Sequence, residues 1–196
     1  MDEPMKTARS ELILGGQRSG KSRRAELLAR TWLAKSPAHD AVLIATAQPW
    51  DEEMRERIAR HRADRAERVP GLRTVEEPVQ LAQALANHSQ PQTLVVVDCL
   101  TLWLTNLLMP AQNNEQNKAL AQAERAQAAM FLIAIEEAAG PLVLVGNEIG
   151  LGVIPLGRET RAFVDALGRL NQDVAQACER VTFMAAGLPL ALKGQP

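Results

Sequence analysis

Apolar strands alternating with stretches of helical spacing predict an α/β protein whose mostly parallel sheet is covered by helices on both faces. Three observations carry this prediction. The runs AVLIATA (41–47), TLVVVDC (93–99) and PLVLVGNE (141–148) lack the in–out alternation of a half-exposed strand. Helix-like segments separate them. GGQRSGKS (15–22) follows a further strand, opens a helix and fits G-x-x-x-x-G-K-[ST], the pattern of a phosphate-binding loop.

In chain order, residues 1–10 read as a loose polar tail without the apolar stretch of a signal peptide. Residues 11–196 read as a single P-loop nucleotide-binding catalytic domain. ELILGG (11–16) is the first strand, and Ala25, Leu28, Ala29 and Trp32 give residues 22–35 a helical apolar stripe. SPAHD (36–40) is a turn before the second strand, and a highly charged helix runs from Asp51 to Arg68. RTVEEP (73–78) is extended, VQLAQALAN (79–87) a short helix, 93–99 a strand and 101–109 a helix. Asn113 to Ala139 forms a long helix, whose polar 111–127 stretch has the propensity of a solvated helix rather than disorder. After the strand at 141–148, a glycine-rich loop (150–157) leads to a helix from Glu159 to Glu179. RVTFMAAG (180–187) and LPLALK (188–193) close the chain as strands, the last expected to run antiparallel.

The 196 residues are 46% apolar and carry a formal net charge of −1, so no global field favours nucleic acid or an anionic membrane. No apolar run reaches the ~18 residues of a membrane span. Cys99 and Cys178 have no paired spacing, which argues against a zinc site and a disulfide framework and for a reducing, cytoplasmic location.

In the loop, Gly15 and Gly20 let backbone N–H groups curl around phosphate oxygens, and the following helix adds its dipole. Lys21 reaches the β- and γ-phosphates and Ser22 is a candidate Mg²⁺ ligand. Asp98 ends an apolar strand at the sheet's carboxyl edge, as a second metal ligand or as the cap of the next helix. Glu148 ends another such strand, as a metal-side or substrate-side acid or as neither. A P-loop alone does not choose between a kinase, a switch and a motor; the absence of N-K-x-D argues against a switch GTPase.

RIARHRADR (57–65) sets His61 among Arg57, Arg60, Arg62 and Arg65. Helical spacing places Met54, Ile58 and His61 on one face, read as a buried edge, with Arg57 and Arg65 bordering it. His61 is either structural or a nucleophile at phosphorus, with the arginines stabilising the phosphoryl oxygens.

GGQRSGKS, ATAQ (45–48), DEEMRERIARHR (51–62), DCLTLWLTNLL (98–108), NEIGLGVIP (147–155) and RAFVDALGRLNQ (161–172) occur in order. Together they resemble the bifunctional adenosylcobinamide kinase / adenosylcobinamide-phosphate guanylyltransferase family of cobalamin biosynthesis, over essentially the whole chain after residue 10. The resemblance implies a RecA-like P-loop fold and two reactions. Adenosylcobinamide is phosphorylated with ATP or GTP, and GMP then passes from GTP to that phosphate through a guanylylated histidine. It places His61 and Lys21 in catalysis. Nucleotide contacts fall on Gly15, Gly16, Gln17, Arg18, Ser19, Gly20, Lys21, Ser22, Ala45, Thr46, Ala47, Arg62, Ala63, Asp64, Arg65, Glu76 and Asp98, with Mg²⁺ held by Ser22 and Asp98. Ala47 stands where the family pattern often has a hydroxyl residue. A homo-oligomer, a trimer, is also implied. Two alternatives remain at this level: a single-function small-molecule kinase and a non-catalytic nucleotide-binding module.

Overall fold

The computed structural model describes residues 7–49, 51–109 and 117–194. Residues 1–6 of the expected tail and 113–116 of the expected long helix lie outside that set. In order come β1 (Ser10–Gly15), α1 (Lys21–Lys35), β2 (Asp40–Ala45), α2 (Glu52–Arg68), β3 (Leu72–Glu76), α3 (Leu81–His88) and β4 (Thr93–Asp98). They are followed by α4 (Leu100–Leu108), α5 (Asn117–Glu136), β5 (Leu142–Val145), α6 (Arg158–Ala177), β6 (Arg180–Ala185) and β7 (Leu188–Lys193).

All seven strands join one sheet in the order β3-β2-β4-β5-β1-β6-β7. Every pairing is parallel except β6 with β7. Six parallel strands, β3, β2, β4, β5, β1 and β6, therefore end together at one edge, where ligands bind in open α/β sheets.

Alternate residues of each strand feed two cores. On one face Leu12, Leu14, Val42, Val95 and Leu144 meet Leu85, Trp103, Phe131 and Leu170 from α3, α4, α5 and α6. On the other, Ile13, Leu43, Val96 and Val143 meet Ala25, Leu28 and Ala29 of α1. Burial on both faces explains why these strands read as continuous apolar runs.

Two strands stop short of their expected ends. β2 ends at Ala45 because Thr46 turns in to donate its N–H to Asp98 O. β5 ends at Val145, and the N–H groups of Gly146 and Glu148 then bond to Ile13 O and Gly15 O. The largest departure is α2, in which no residue is buried: Met54 and Ile58 are half-buried and His61 is exposed. A helix with only two large apolar side chains cannot generate a core face, so the expected buried edge is a solvated one. Asp51 caps its start, accepting from Met54 N at 2.7 Å.

Candidate active site at the carboxyl edge of the sheet

The P-loop is built by backbone conformations that side chains resist. Gly15 closes β1 at φ +152°, and a Cβ there would lie 2.4 Å from Met184 O and 2.7 Å from Ser19 Oγ. Arg18 and Gly20 also have positive φ, 56° and 101°. Gln17 and Arg18 project into solvent, Gly16 and Ser22 are half-buried, and Ser19 is buried with its hydroxyl unpartnered. Gly20 precedes α1 without a side-chain cap, so the first-turn N–H groups face the loop as an anion site. The β6–β7 turn props this loop from behind: Gly187 N–H donates to Ser19 O at 3.0 Å. A Cβ on Gly20 would reach 3.3 Å from Gly187 Cα.

Lys21 is buried, and its ammonium donates to Gly16 O at 2.6 Å. Burial holds its pKa below the ordinary lysine value, while the nearby Cys99 and Asp98 side chains pull it back up. Asp98 is half-buried at the end of β4. The Asp98–Cys99 peptide is cis. Thr46 holds this turn: its Oγ1 donates to Cys99 O at 2.7 Å and accepts from Cys99 N at 2.9 Å. Asn106 in turn donates to Thr46 O at 2.8 Å and to Pro78 O at 3.0 Å. Thr46 is fully buried, so its hydroxyl is committed to the Asp98–Cys99 turn, flanked by half-buried Ala45 and Ala47.

A second cluster forms where α2 meets β3. Arg62 pairs with Glu76, the last residue of β3. Arg62, Arg65, Ala66, Leu72 and Thr74 line an open pocket of about 370 Å³, in which Arg65 Nε is buried with no hydrogen-bond partner among the described residues. An unpartnered buried guanidinium N–H is a site prepared for an acceptor. Arg68 fastens the end of α2 to α1 through Glu26 at 3.1 Å and also pairs with Asp64 of its own helix; Ala63 is exposed. His39 stacks on Trp32, with ring centroids 3.8 Å apart, and its Nδ1 lies 2.8 Å from Trp32 O. His61 is instead exposed on α2, three residues before Asp64.

β3 lies four strand spacings from β1, about 19 Å at ~4.8 Å each. The expected contact residues thus fall at two places along one edge: the P-loop with Lys21, Ser22 and Asp98, and the arginine pocket with Glu76. Sequence reasoning did not identify the supports between them, Thr101, Asn106 and Asn171. Asn106 and Asn171 sit on otherwise apolar helical stripes, beside Leu107 and Leu170. A poor helix former on a buried stripe was the available signal.

The model of the cobinamide kinase / cobinamide phosphate guanyltransferase family matches residues 11–192. The chain belongs to this family. Membership makes it a P-loop transferase of cobalamin biosynthesis with kinase and guanylyltransferase activities. The bifunctional adenosylcobalamin biosynthesis protein CobP of Pseudomonas aeruginosa is 48% identical over 190 residues, 95% of this chain and 98% of that protein. Its counterpart CobU of Escherichia coli is 34% identical over 187 residues, 93% of this chain and 98% of the relative. Among solved structures, the flagellar accessory protein FlaH of Methanocaldococcus jannaschii superposes with a TM-score of 0.50 at 11% identity, over 97% of this chain and 80% of that one. This likeness concerns the fold alone.

Proposed function

We propose that this chain phosphorylates adenosylcobinamide with ATP or GTP, then transfers GMP from GTP to that phosphate through a covalent intermediate on His61. The observation that carries the reading is the presence of two phosphate-attracting places on one sheet edge, the P-loop and the arginine pocket. A single-step kinase needs only the first.

In the kinase step the loop amides of Gly15–Ser22 and the α1 N-terminus hold the β- and γ-phosphates, and Lys21 neutralises charge developing on the transferred group. Mg²⁺, held by Ser22 and Asp98, would offset the charge on the phosphates. Among the described residues no group of three or more His, Cys, Asp or Glu side chains forms a metal cage. A metal held mainly by phosphate oxygens and water needs none.

In the second step a His61 ring nitrogen bonds to the α-phosphorus of GTP and pyrophosphate leaves. An oxygen of adenosylcobinamide phosphate then displaces the imidazole, giving adenosylcobinamide-GDP. Arg62 and Arg65 steady the phosphoryl oxygens. Glu76 contacts the nucleotide and orients Arg62, with which it pairs.

Residues 11–196 act as one catalytic domain in the cytoplasm, within a homo-oligomer, a trimer. The exposed Leu188, Leu190 and Leu192 of edge strand β7 support assembly. No helix among the described residues is long and apolar enough to cross a membrane.

The test follows products by mass spectrometry after adding adenosylcobinamide and ATP, then GTP. The reading expects a cobinamide phosphate, then cobinamide-GDP with one pyrophosphate each. GDP without pyrophosphate in the GTP stage overturns the second transfer.

A further inference from the structure

Glu148 has no part in the steps above, yet the backbone around it is held from three elements at the ligand edge. β5 is the strand interposed between β1, which carries the P-loop, and β4, which carries Asp98. Immediately beyond its end, three bonds from three elements fix Asn147 and Glu148. Asn147 N–H donates to Thr101 Oγ1 of α4 at 2.9 Å. Asn171 Nδ2 of α6 donates to Asn147 O at 3.1 Å. Glu148 N–H donates to Gly15 O, the first carbonyl of the P-loop, at 3.1 Å.

The carboxylate is half-buried, and its Oε1 accepts from Gly150 N at 2.7 Å. A Cβ at position 150 would lie 3.1 Å from that oxygen, so the glycine lets the loop fold against the acid. Asn171 is 4% exposed, and its Oδ1 has no partner among the described residues. A buried amide left half-satisfied carries a desolvation cost that nothing in its own surroundings repays. Retaining it for one bond to Asn147 O is consistent with a positioning role.

Three acids lie at this edge, Glu76 and Asp98 as the last residues of β3 and β4 and Glu148 three residues beyond the end of β5. Glu76 is paired with Arg62 four strands from the P-loop, and Asp98 lies on the Lys21 side, where it raises the lysine's pKa. Glu148 alone is bonded to the P-loop backbone from the neighbouring strand.

We infer that Glu148 is a catalytic carboxylate of the kinase transfer, with Thr101 and Asn171 as its positioning residues; this rests on the kinase activity proposed above. Its carboxylate accepts the hydrogen bond of the acceptor's hydroxyl and then its proton. The hydroxyl oxygen bonds to the γ-phosphorus while the bond from phosphorus to the β–γ bridging oxygen breaks. The nucleoside diphosphate leaves with that electron pair, and the proton moves to Glu148.

The experiment compares the full chain with Glu148→Gln, Glu148→Asp and Asn171→Ala, assaying the two transfers separately with adenosylcobinamide plus ATP and with adenosylcobinamide phosphate plus GTP. Loss of a positioned general base lowers rates about 10²–10⁴-fold. The kinase kcat of Glu148→Gln should fall at least about a hundredfold, with the KM for ATP little changed. That fall should exceed the fall in GMP transfer by at least a factor of about ten, and Glu148→Asp should recover part of it. Asn171→Ala should lower kinase kcat in the parent and have no further effect on top of Glu148→Gln. A Glu148→Gln kinase kcat within about threefold of the parent overturns the assignment. So does an equal fall in both transfers, the mark of a structural role. A parent that turns over neither substrate overturns the proposed function itself, a result no Glu148 variant can mimic.

Discussion

Glu11, the second residue of β1, is a carboxylate 1% exposed that holds the P-loop helix on the sheet. Its Oε1 accepts from Arg24 Nε of α1 at 2.9 Å and from Thr182 Oγ1 of β6 at 2.8 Å. Its Oε2 faces Arg180 Nη1 at 3.4 Å. Glu11→Gln keeps the shape and one acceptor but removes the charge, and it sets an NH₂ against a guanidinium. Two charge-assisted bonds at about 1.5–3 kcal/mol each give a loss of about 3–6 kcal/mol, close to the cost of removing one partner of a buried ion pair. For a chain of this size each kcal/mol lowers Tm by about 2–4 °C, so the melt should fall by roughly 6–24 °C. Urea unfolding followed by circular dichroism should show a lower midpoint at unchanged slope. The control is Glu52→Gln. Its pair with Arg55 is shorter, at 2.6 Å, but the two side chains are 73% and 56% exposed, and the loss should stay below about 0.5 kcal/mol. A Glu11→Gln midpoint within about 1 kcal/mol of the parent, or equal losses for the two variants, would refute the reasoning that burial rather than distance sets the strength of these pairs.

Thr46→Val leaves the buried N–H of Cys99 without a partner, at about 1–3 kcal/mol, while Cys99 O keeps the N–H of Trp103 at 3.1 Å. Urea titration should show about 1–3 kcal/mol lost, with weaker nucleotide binding by calorimetry, while Thr46→Ser keeps the hydroxyl's bonds and should lose only about 1 kcal/mol for its methyl group. Gly15→Ala drives a Cβ to 2.4 Å from Met184 O at a φ that favours glycine, which predicts about 2–5 kcal/mol of destabilisation by thermal melting. Gly16→Ala, with nothing within 4 Å, should melt near the parent. Burial pushes the Cys99 and Cys178 thiols up to about 11 from the ordinary 9.0. Between those values the native thiols keep protons that the unfolded ones lose, so their contribution is constant below pH 9 and falls as pH rises towards 11. Both thiols should react with a disulfide reagent at neutral pH far more slowly in the native protein than in urea.

What was legible in the sequence is what local chemistry determines. Gly15, Gly20, Lys21 and Ser22 lie within eight residues, and an acid at or just after the end of an apolar run places Asp98, the last residue of β4, and Glu148, three residues past β5, at the ligand edge whatever the strand order. The interposition of β5 was not legible, because order depends on crossovers that leave no local pattern. Glu11 gave no signal either: its partners Arg180 and Thr182 are 169 and 171 positions away. Thr46 reads as a ligand contact in its ATAQ motif, yet its hydroxyl serves a backbone 53 residues on. On α2, periodicity grouped Met54, Ile58 and His61 correctly as one face, but spacing carries no information about whether anything packs there.

The central claim is that the second transfer passes through His61, and labelling tests it most directly. The protein is incubated with GTP radiolabelled at the α-phosphate, precipitated and examined for bound label, with His61→Ala and His39→Ala in parallel. The account predicts acid-labile, alkali-stable label on the parent and on His39→Ala, released by adenosylcobinamide phosphate, and none on His61→Ala. Equal labelling of the parent and His61→Ala, or a parent that takes up no label while forming adenosylcobinamide-GDP, would contradict it.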